Sequence, residues 1–402
     1  MANPNNHVHE MQGLYGPFTI AERMVQKIWL RRDFAVDRAG LTDGTKLAIR
    51  TPGIWNLLGG PDFRDARLLI EGQEITGDIE VHFHVSDWRA HRHAIDRAYD
   101  NVVLHVVMFP PAEGERGAVR GDGTEIPTLV LLPLLYRSLE EYASDDALES
   151  ITERDATERI AELVTMPTPE VRLMLRGKAK ARWALKKHFA ALRIRKLGWT
   201  AAAHQTALEI LGYRHNRAVM LSVAAGHALE EWASGLDSDA IFRERAGQWQ
   251  LQGVRPANHP RLRLRQYQCW VLRHPDWPEW LRKLLPGMGP DGDIAMPTAR
   301  FRKQTGLPGL RENIATQILA EATGGPRLDT LICDGLLPLV AAETGNDLLP
   351  VWFHWYLGDV PKEVSRALRE TGIAGQNAPP LCHGWGQGLL GWMLERDARA
   401  SG

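Results

Sequence analysis

The chain predicts an α/β domain on a mixed α+β sheet, followed by a mainly α-helical domain. Three observations carry that expectation. Up to about residue 135 the sequence is rich in Gly, Pro, Asp and short β-branched runs, and its elements read helix, strand, strand, strand, helix, strand. From about residue 137 it reads as helix after helix with few strand signals. Between them, Val102 to Phe109 (VVLHVVMF) is almost wholly apolar, as expected of a strand buried on both faces. The domain boundaries that follow are 1–136 for the α/β domain, 137–165 for an acidic helical linker and 166–402 for a helical domain with a basic surface.

Taken in order, Thr19 is placed to cap a helix, with Glu22 three residues on to complete a capping box. Ile20, Met24, Val25 and Ile28 then give the helical stripe to about Arg32. Asp43-Gly44 is a turn before a short strand, KLAIR, and Pro52-Gly53 with Gly59-Gly60-Pro61 punctuate a loop. Ala66 to Ile70 is a strand, Glu71-Gly72 a turn, and Asp78 to Val85 (DIEVHFHV) the paired strand. A helix over Trp88 to Tyr99 leads to the Val102–Phe109 strand, and Glu125 to Leu132 adds another. The order is a meander followed by a crossover that returns a strand to the same sheet. Glu140 to Glu162 carries nine acidic residues and reads as a solvated helix or linker.

Composition narrows the function classes. The 48 basic and 49 acidic residues nearly cancel in 402, which excludes a uniformly basic DNA-coating protein. Cys269, Cys333 and Cys382 lie far apart with no CxxC pair, so neither a disulfide scaffold nor a Cys-rich zinc module is expected. The opening MANPNNHVHE has no apolar h-region, and no apolar run is long enough to span a bilayer. The expectation is a cytoplasmic protein with no membrane partner.

The densest polar constellation runs from Gly60 to Val107. Five of the fifteen histidines fall between His82 and His105. Residues two apart on a strand share a face, so Glu80, His82 and His84 point one way while Ile79, Val81, Phe83 and Val85 point the other. A carboxylate and two imidazoles on one face have the geometry to hold a divalent metal. His105 interrupts an apolar strand and, if buried, needs a partner. Asp62, in the loop before the first hairpin strand, can reach the Glu80 face. The ordinary alternatives are Asp62 as a turn residue, Asp87 as a helix N-cap and Glu22 as a capping residue. His91 and His93, two apart near a helix start, do not share a face and read as supporting or surface residues.

This element order, with Pro61-Asp62 before one strand and Glu80-Val81-His82 on the next, resembles the core of the PD-(D/E)XK nuclease superfamily. The resemblance implies a restriction-endonuclease-like fold, Mg²⁺ or Mn²⁺ held by Asp62 and Glu80, His82 ligating the ion or orienting the attacking water, Glu22 as a further acid on the preceding helix, and hydrolysis of a nucleic-acid phosphodiester; His105 joins the candidate metal ligands from its own place in the apolar strand. His82 stands where that superfamily has lysine, which puts cleavage itself in question. A second resemblance covers more of the chain. The string GPDF, GDIEVH, DW, HxH, DxxY and NVVLHVV is similar to a bacterial family known as a domain of unknown function; RPANHPRLRL and GLRENIA also resemble it.

A separate signal is electrostatic. Val171 to Leu208 contains no Asp or Glu, but holds Lys178, Arg182, Lys186, Lys187 and Arg193 among other cations. Blocks of one sign mark interaction surfaces, and nucleic-acid phosphates are the expected partner. The alternative is a basic helix docked on the acidic Glu140–Glu162 segment. Two rival functions stand beside the nuclease expectation. One is a His/carboxylate metal hydrolase or oxygenase of a small substrate, using His82 and His84. The other is a non-catalytic module that binds nucleic acid or a partner protein.

Overall fold

The apolar runs of the first 144 residues assemble one mixed sheet. In the computed structural model, residues 8–13, 16–153, 162–284, 293–360, 362–374 and 380–401 are described. The chain divides into two compact units, Met1–Ser144 and Asp145–Gly402.

The first unit opens with a hairpin of β1 (Val8–Gly13) and β2 (Gly16–Ala21), ahead of helix α1 (Glu22–Arg31). The sheet follows: β3 (Leu47–Thr51), β4 (Ile54–Trp55), β5 (Phe63–Ile70), β6 (Gln73–His82), β7 (Val102–Val107) and β8 (Thr128–Val130). Its order is β3-β5-β6-β7-β8, with β4 paired to β5. β3, β5 and β6 run antiparallel as a meander, whereas β6–β7 and β7–β8 are parallel. Parallel neighbours require a crossover, and residues 83–101 supply it between β6 and β7.

Two local expectations are corrected. The segment Trp88 to Tyr99 is not one helix: α2 spans only Asp87–Ala90, and two 3-10 turns, His93–Ile95 and Arg97–Tyr99, follow. The break is at Arg92, whose φ of 61° is left-handed and cannot continue a right-handed helix. The capping box is also absent. Ala21 stands at the N-cap of α1 with no side-chain cap, because Thr19 is drawn into β2.

Alternation along β6 sorts its side chains. Ile79 and Val81 join Met24, Val25, Ile28 and Trp29 of α1 and Leu104 and Val106 of β7 in one core. Each large apolar side chain so buried contributes about 1.5–3 kcal/mol. Glu80 and His82, on the opposite side of the strand, are buried as well. A smaller cluster of Trp88, Val102, Ala118 and Ile126 stands apart from that core.

Helix α3 (Leu139–Glu153) carries much of the acidic stretch. It begins as part of the first unit, since Leu139 and Tyr142 are buried in its core. The Tyr142 hydroxyl donates to the Asp33 carbonyl at 2.6 Å and Arg137 pairs with Asp33 at 2.9 Å. Asp155 and Glu158 of that stretch lie outside the described residues. The second unit is mostly helical. Its axis is the 30-residue helix α4 (Thr168–Leu197), lined by the helices Leu337–Thr344 and His383–Ser401. Trp232, Trp270, Trp277, Trp352 and Trp355 are buried in its core. Among the described residues no helix is long and apolar enough to cross a membrane.

Gly77 sets how closely β6 approaches β7. A Cβ there would fall 2.4 Å from Val103 Cγ1 and 2.8 Å from the Asn101 carbonyl, which accepts from the Asp78 amide at 2.9 Å. Gly77→Ala is expected to destabilise the protein by about 1–3 kcal/mol, read as a lower urea midpoint. An unchanged midpoint would contradict this strand spacing.

Candidate metal centre

The carboxylates come together because the hairpin register brings them together. Phe63 pairs with Ile79, so Asp62, just before β5, meets Glu80 on β6. The Asp62 amide donates to Glu80 Oε2 at 3.0 Å, and the Val81 amide donates to Asp62 Oδ2 at 3.1 Å. Gln26 Nε2, on α1, donates to Asp62 Oδ1 at 2.7 Å. Both Asp62 oxygens are thereby engaged by the protein itself. Glu22 lies one turn before Gln26 and is buried, and no described residue makes a hydrogen bond or ion pair with its carboxylate.

Three buried acids this close cannot all ionise cheaply. Burial raises Glu22 to about 9, reinforced by the charges of Asp62, Glu80 and Asp87. Burial, and then the charge on Glu80, holds Asp62 well above the carboxylate range. Burial raises Glu80 to about 8, against the pull of the Asp62 amide.

The other oxygen of Glu80 faces imidazoles. Its Oε1 lies 3.4 Å from His82 Nε2 and 3.2 Å from His93 Nε2. His82 Nε2 is also 3.1 Å from His91 Nδ1 and 3.4 Å from His93 Nε2. The ligand atoms of these three histidines lie within 4.8 Å of one another, the arrangement that can hold a metal ion. Behind His82, its Nδ1 meets His105 Nε2 at 2.9 Å. His105 sits beside Glu80 in the parallel register and is fully buried, and burial lowers it to about 3. Burial likewise lowers His93 to about 4, so both rings are neutral near pH 7. Tyr99 stacks on His93 at 3.8 Å, and Trp88 meets the same ring edge-on at 5.2 Å.

Thus Glu22, Asp62, Glu80 and His82 lie in one buried neighbourhood, with His105 one ring behind. Expected only as supporting or surface groups, His91 and His93 face the cluster. Two residues apart on a helix they would diverge, but left-handed Arg92 between them ends α2 and turns both rings to one point. An HxH pair just after a strand ending Glu-x-His was the available signal. Gln26 was legible as the residue one turn from Glu22. His84 moves the other way: β6 ends at His82, and the His84 ring stacks on Phe109 at 5.1 Å. Asp87 is the first residue of α2 rather than its N-cap, and accepts from the His84 amide at 2.8 Å.

The basic residues of α4 are largely held inside the second unit. Arg182 is buried and donates to Gln387 at 2.7 Å. Lys186 pairs with Asp334 at 2.8 Å, Arg193 with Glu209 at 2.7 Å, and Lys178 with Glu395. Lys187 is exposed. Gln387, Asp334, Glu209 and Glu395 all lie outside the Glu140–Glu162 stretch.

A family model described as protein of unknown function (DUF2851) matches residues 22–242, more than half of the chain. The chain belongs to the DUF2851 family. No curated protein and no solved structure matches it. The DUF2851 match begins at Glu22 and covers every residue of the cluster.

The raised acids tie the stability of this DUF2851 protein to pH. Between the usual 4.5 and the folded values of about 8 and 9, the unfolded chain has lost protons that Glu80 and Glu22 still hold. Stability contributed by the protonated acids is therefore present at low pH and lost as pH rises through that range. His93 and His105 act in the opposite sense, but only below their usual 6.5. The melting temperature of chelator-treated protein is expected to fall by several degrees from pH 6.5 to 9. Calorimetry showing a flat or rising profile there would remove the buried-acid account.

Proposed function

We propose that the first unit is a divalent-metal-dependent phosphodiesterase acting on nucleic acid. The observation that carries the reading is the meeting of Glu22 on α1, Asp62 just before β5 and Glu80 on the central strand β6, in a buried site of a meander-plus-crossover sheet. With the two-residue β4 and the 3-10 turns set aside, the order α1, β3, β5, β6, α2, β7 supports the reading, because the nuclease resemblance implies helix, three strands, helix and strand, with Asp62 and Glu80 as its two motif acids.

The residues fit a cation: three buried acids crowd together, and no described residue donates a hydrogen bond to one of them, Glu22. Glu80 would be the principal ligand, with His82, and the resemblance points to Mg²⁺ or Mn²⁺. When bound, such an ion supplies positive charge for the developing phosphorane and acidifies water. Asp62 orients Glu80 through its own amide and is itself fixed by Gln26 and Val81. Glu22, to which no described residue donates, is the group that, as its carboxylate, would take the proton of the attacking water. The phosphate backbone would be met by Arg64, Arg92 and Arg97, all exposed on segments flanking the site. A Cβ at Gly60, two residues before Asp62, would lie 3.4 Å from Arg64 Nη2 and 3.7 Å from Ala98 Cβ, which places these segments side by side. The paired cations of α4 leave Lys187, with Lys180 and Arg195, as that helix's exposed candidates.

A second reading, a metal hydrolase of a small substrate, is favoured by one observation, the three imidazoles around Glu80. Labelled DNA and RNA strands and a chromogenic phosphodiester, assayed with Mg²⁺, Mn²⁺ and Zn²⁺, separate the two. Turnover of strands is expected, with Glu80→Gln lowering it at least about 100-fold. Arg92→Ala with Arg97→Ala should weaken strand binding and flatten its salt dependence. Cleavage of the small ester alone would favour the second reading, and no turnover of any of them would sink both.

A further inference from the structure

We infer that Glu80, His82, His91 and His93 form a nitrogen-rich site for a first-row transition ion, Zn²⁺, Fe²⁺ or Mn²⁺, and that Mg²⁺ does not take it. The inference deepens the proposed function and rests on it only in sharing Glu80 and His82; ion binding here does not depend on which substrate is cleaved.

The first argument is crowding at one atom. His82 Nε2 has His91 Nδ1, His93 Nε2 and Glu80 Oε1 at 3.1, 3.4 and 3.4 Å. A ring nitrogen is a donor or an acceptor, once. It cannot satisfy three neighbours by hydrogen bonding, whereas a cation at their centre serves all four atoms together. The separations agree with that: around an ion with bonds of about 2.0–2.1 Å, neighbouring ligand atoms stand about 2.9–3.4 Å apart.

The second argument is orientation. His82 Nδ1 donates to His105 Nε2 in the tautomer that leaves the His82 Nε2 lone pair facing the cluster. His105 Nδ1 then carries the ring proton, and it is buried with no hydrogen-bond partner. An orphan donor of this kind costs about 1–3 kcal/mol, a cost that a metal–ligand bond at His82 offsets. His105 is thus a positioning residue, as the outer partners of metal-bound histidines commonly are. Glu80 is oriented in the same way: its Oε2 is held by the Asp62 amide, leaving Oε1 for the ion.

The third argument is strain. Arg92 holds a left-handed backbone without being glycine. Such residues cost about 1–3 kcal/mol and persist where the surroundings impose them. Here the effect is to aim His91 and His93 at one point, with Tyr99 and Trp88 walling the His93 ring. Imidazole donors suit borderline transition ions, whereas Mg²⁺ demands oxygen and keeps its water. Asp62, whose two oxygens accept from Gln26 and Val81, is not among the grouped ligand atoms.

Titration calorimetry on the chelator-treated full chain, with ZnCl₂, MnCl₂ and MgCl₂ separately, is the test. A transition ion is expected to bind one per chain, and millimolar Mg²⁺ is expected not to displace it. His91→Ala and His93→Ala should each weaken binding by more than the about 10–100-fold expected of His105→Ala. Co²⁺ bound to the wild type should show d–d absorption much more intense than the aqueous ion's and shifted to longer wavelength, which decides the matter if the histidine variants fail to fold; the weak aqueous-type spectrum would overturn the inference. Binding of Mg²⁺ as tightly as the others, or affinity unmoved by both substitutions, overturns the inference. So does the absence of any ion binding, which would leave a polar network only. Ion binding without strand cleavage removes the nuclease reading and leaves this one standing. Mg²⁺-driven cleavage that survives His93→Ala does the reverse.

Discussion

Burial of Glu80 is the constraint on which the rest of the first unit turns. A lone carboxylate in a packed interior is strongly disfavoured in its charged form. Here one oxygen takes the Asp62 amide and the other meets His82 and His93. Those contacts fix the hairpin register at Asp62, the end of β6 at His82 and the fold of the crossover back over the strand. Moving β6 by one residue would turn Ile79 and Val81 out of the core and bring Glu80 into it, so apolar and polar sides specify the same register. Electrostatics and packing agree at this strand, which is what makes the arrangement unique rather than merely compact.

The parts of this that were legible in the sequence share a cause. Alternation along DIEVHFHV, the apolar run at Val102 and the Gly-Pro punctuation are local patterns, and they report the sheet, its hairpin and its return strand correctly. The Asp62–Glu80 pair was legible because a hairpin converts an 18-residue separation into contact. The conformation of the crossover segment was not legible. DWRAHRHAIDRAY has helical composition, and the break at Arg92 depends on where tertiary contacts hold His91 and His93. Propensity is a weak prior against such contacts. Glu22 shows the converse. Its spacing from Thr19 fits a capping box, but β2 takes Thr19 into a strand, and the acid is left for the site.

Charge in the second unit shows a different limit. A stretch without acids reads as a surface of one sign only if nothing distant in sequence meets it. Asp334, Gln387 and Glu395 approach α4 from helices some 150 residues or more further on and Glu209 from the next helix, so Lys178, Arg182, Lys186 and Arg193 are spent within the unit. Arg182 is the clearest case, because burial alone lowers its affinity for its proton and only paired or hydrogen-bonded guanidinium is tolerated there. Net charge along a segment therefore says little about the field that the segment presents.

The two halves of the centre also differ in how they are built, and that difference bears on how they can act. Asp62, Glu80 and His105 sit on or beside strands held by ladder hydrogen bonds, so their positions are as rigid as the sheet. His91 and His93 sit on a short irregular segment whose backbone hydrogen bonds close local turns, with Trp88 Nε1 donating to the Val119 carbonyl in the loop before β8 at 2.9 Å and Tyr99 stacked on His93 within the segment. Segments built of short turns open locally at lower cost than core strands do. An ion shared between Glu80 on the rigid side and two histidines on the softer side would couple closure of that segment to occupancy. Strands fix one side of the centre and a turn-built segment carries the other, and the carboxylate joining them is the residue whose burial organises both.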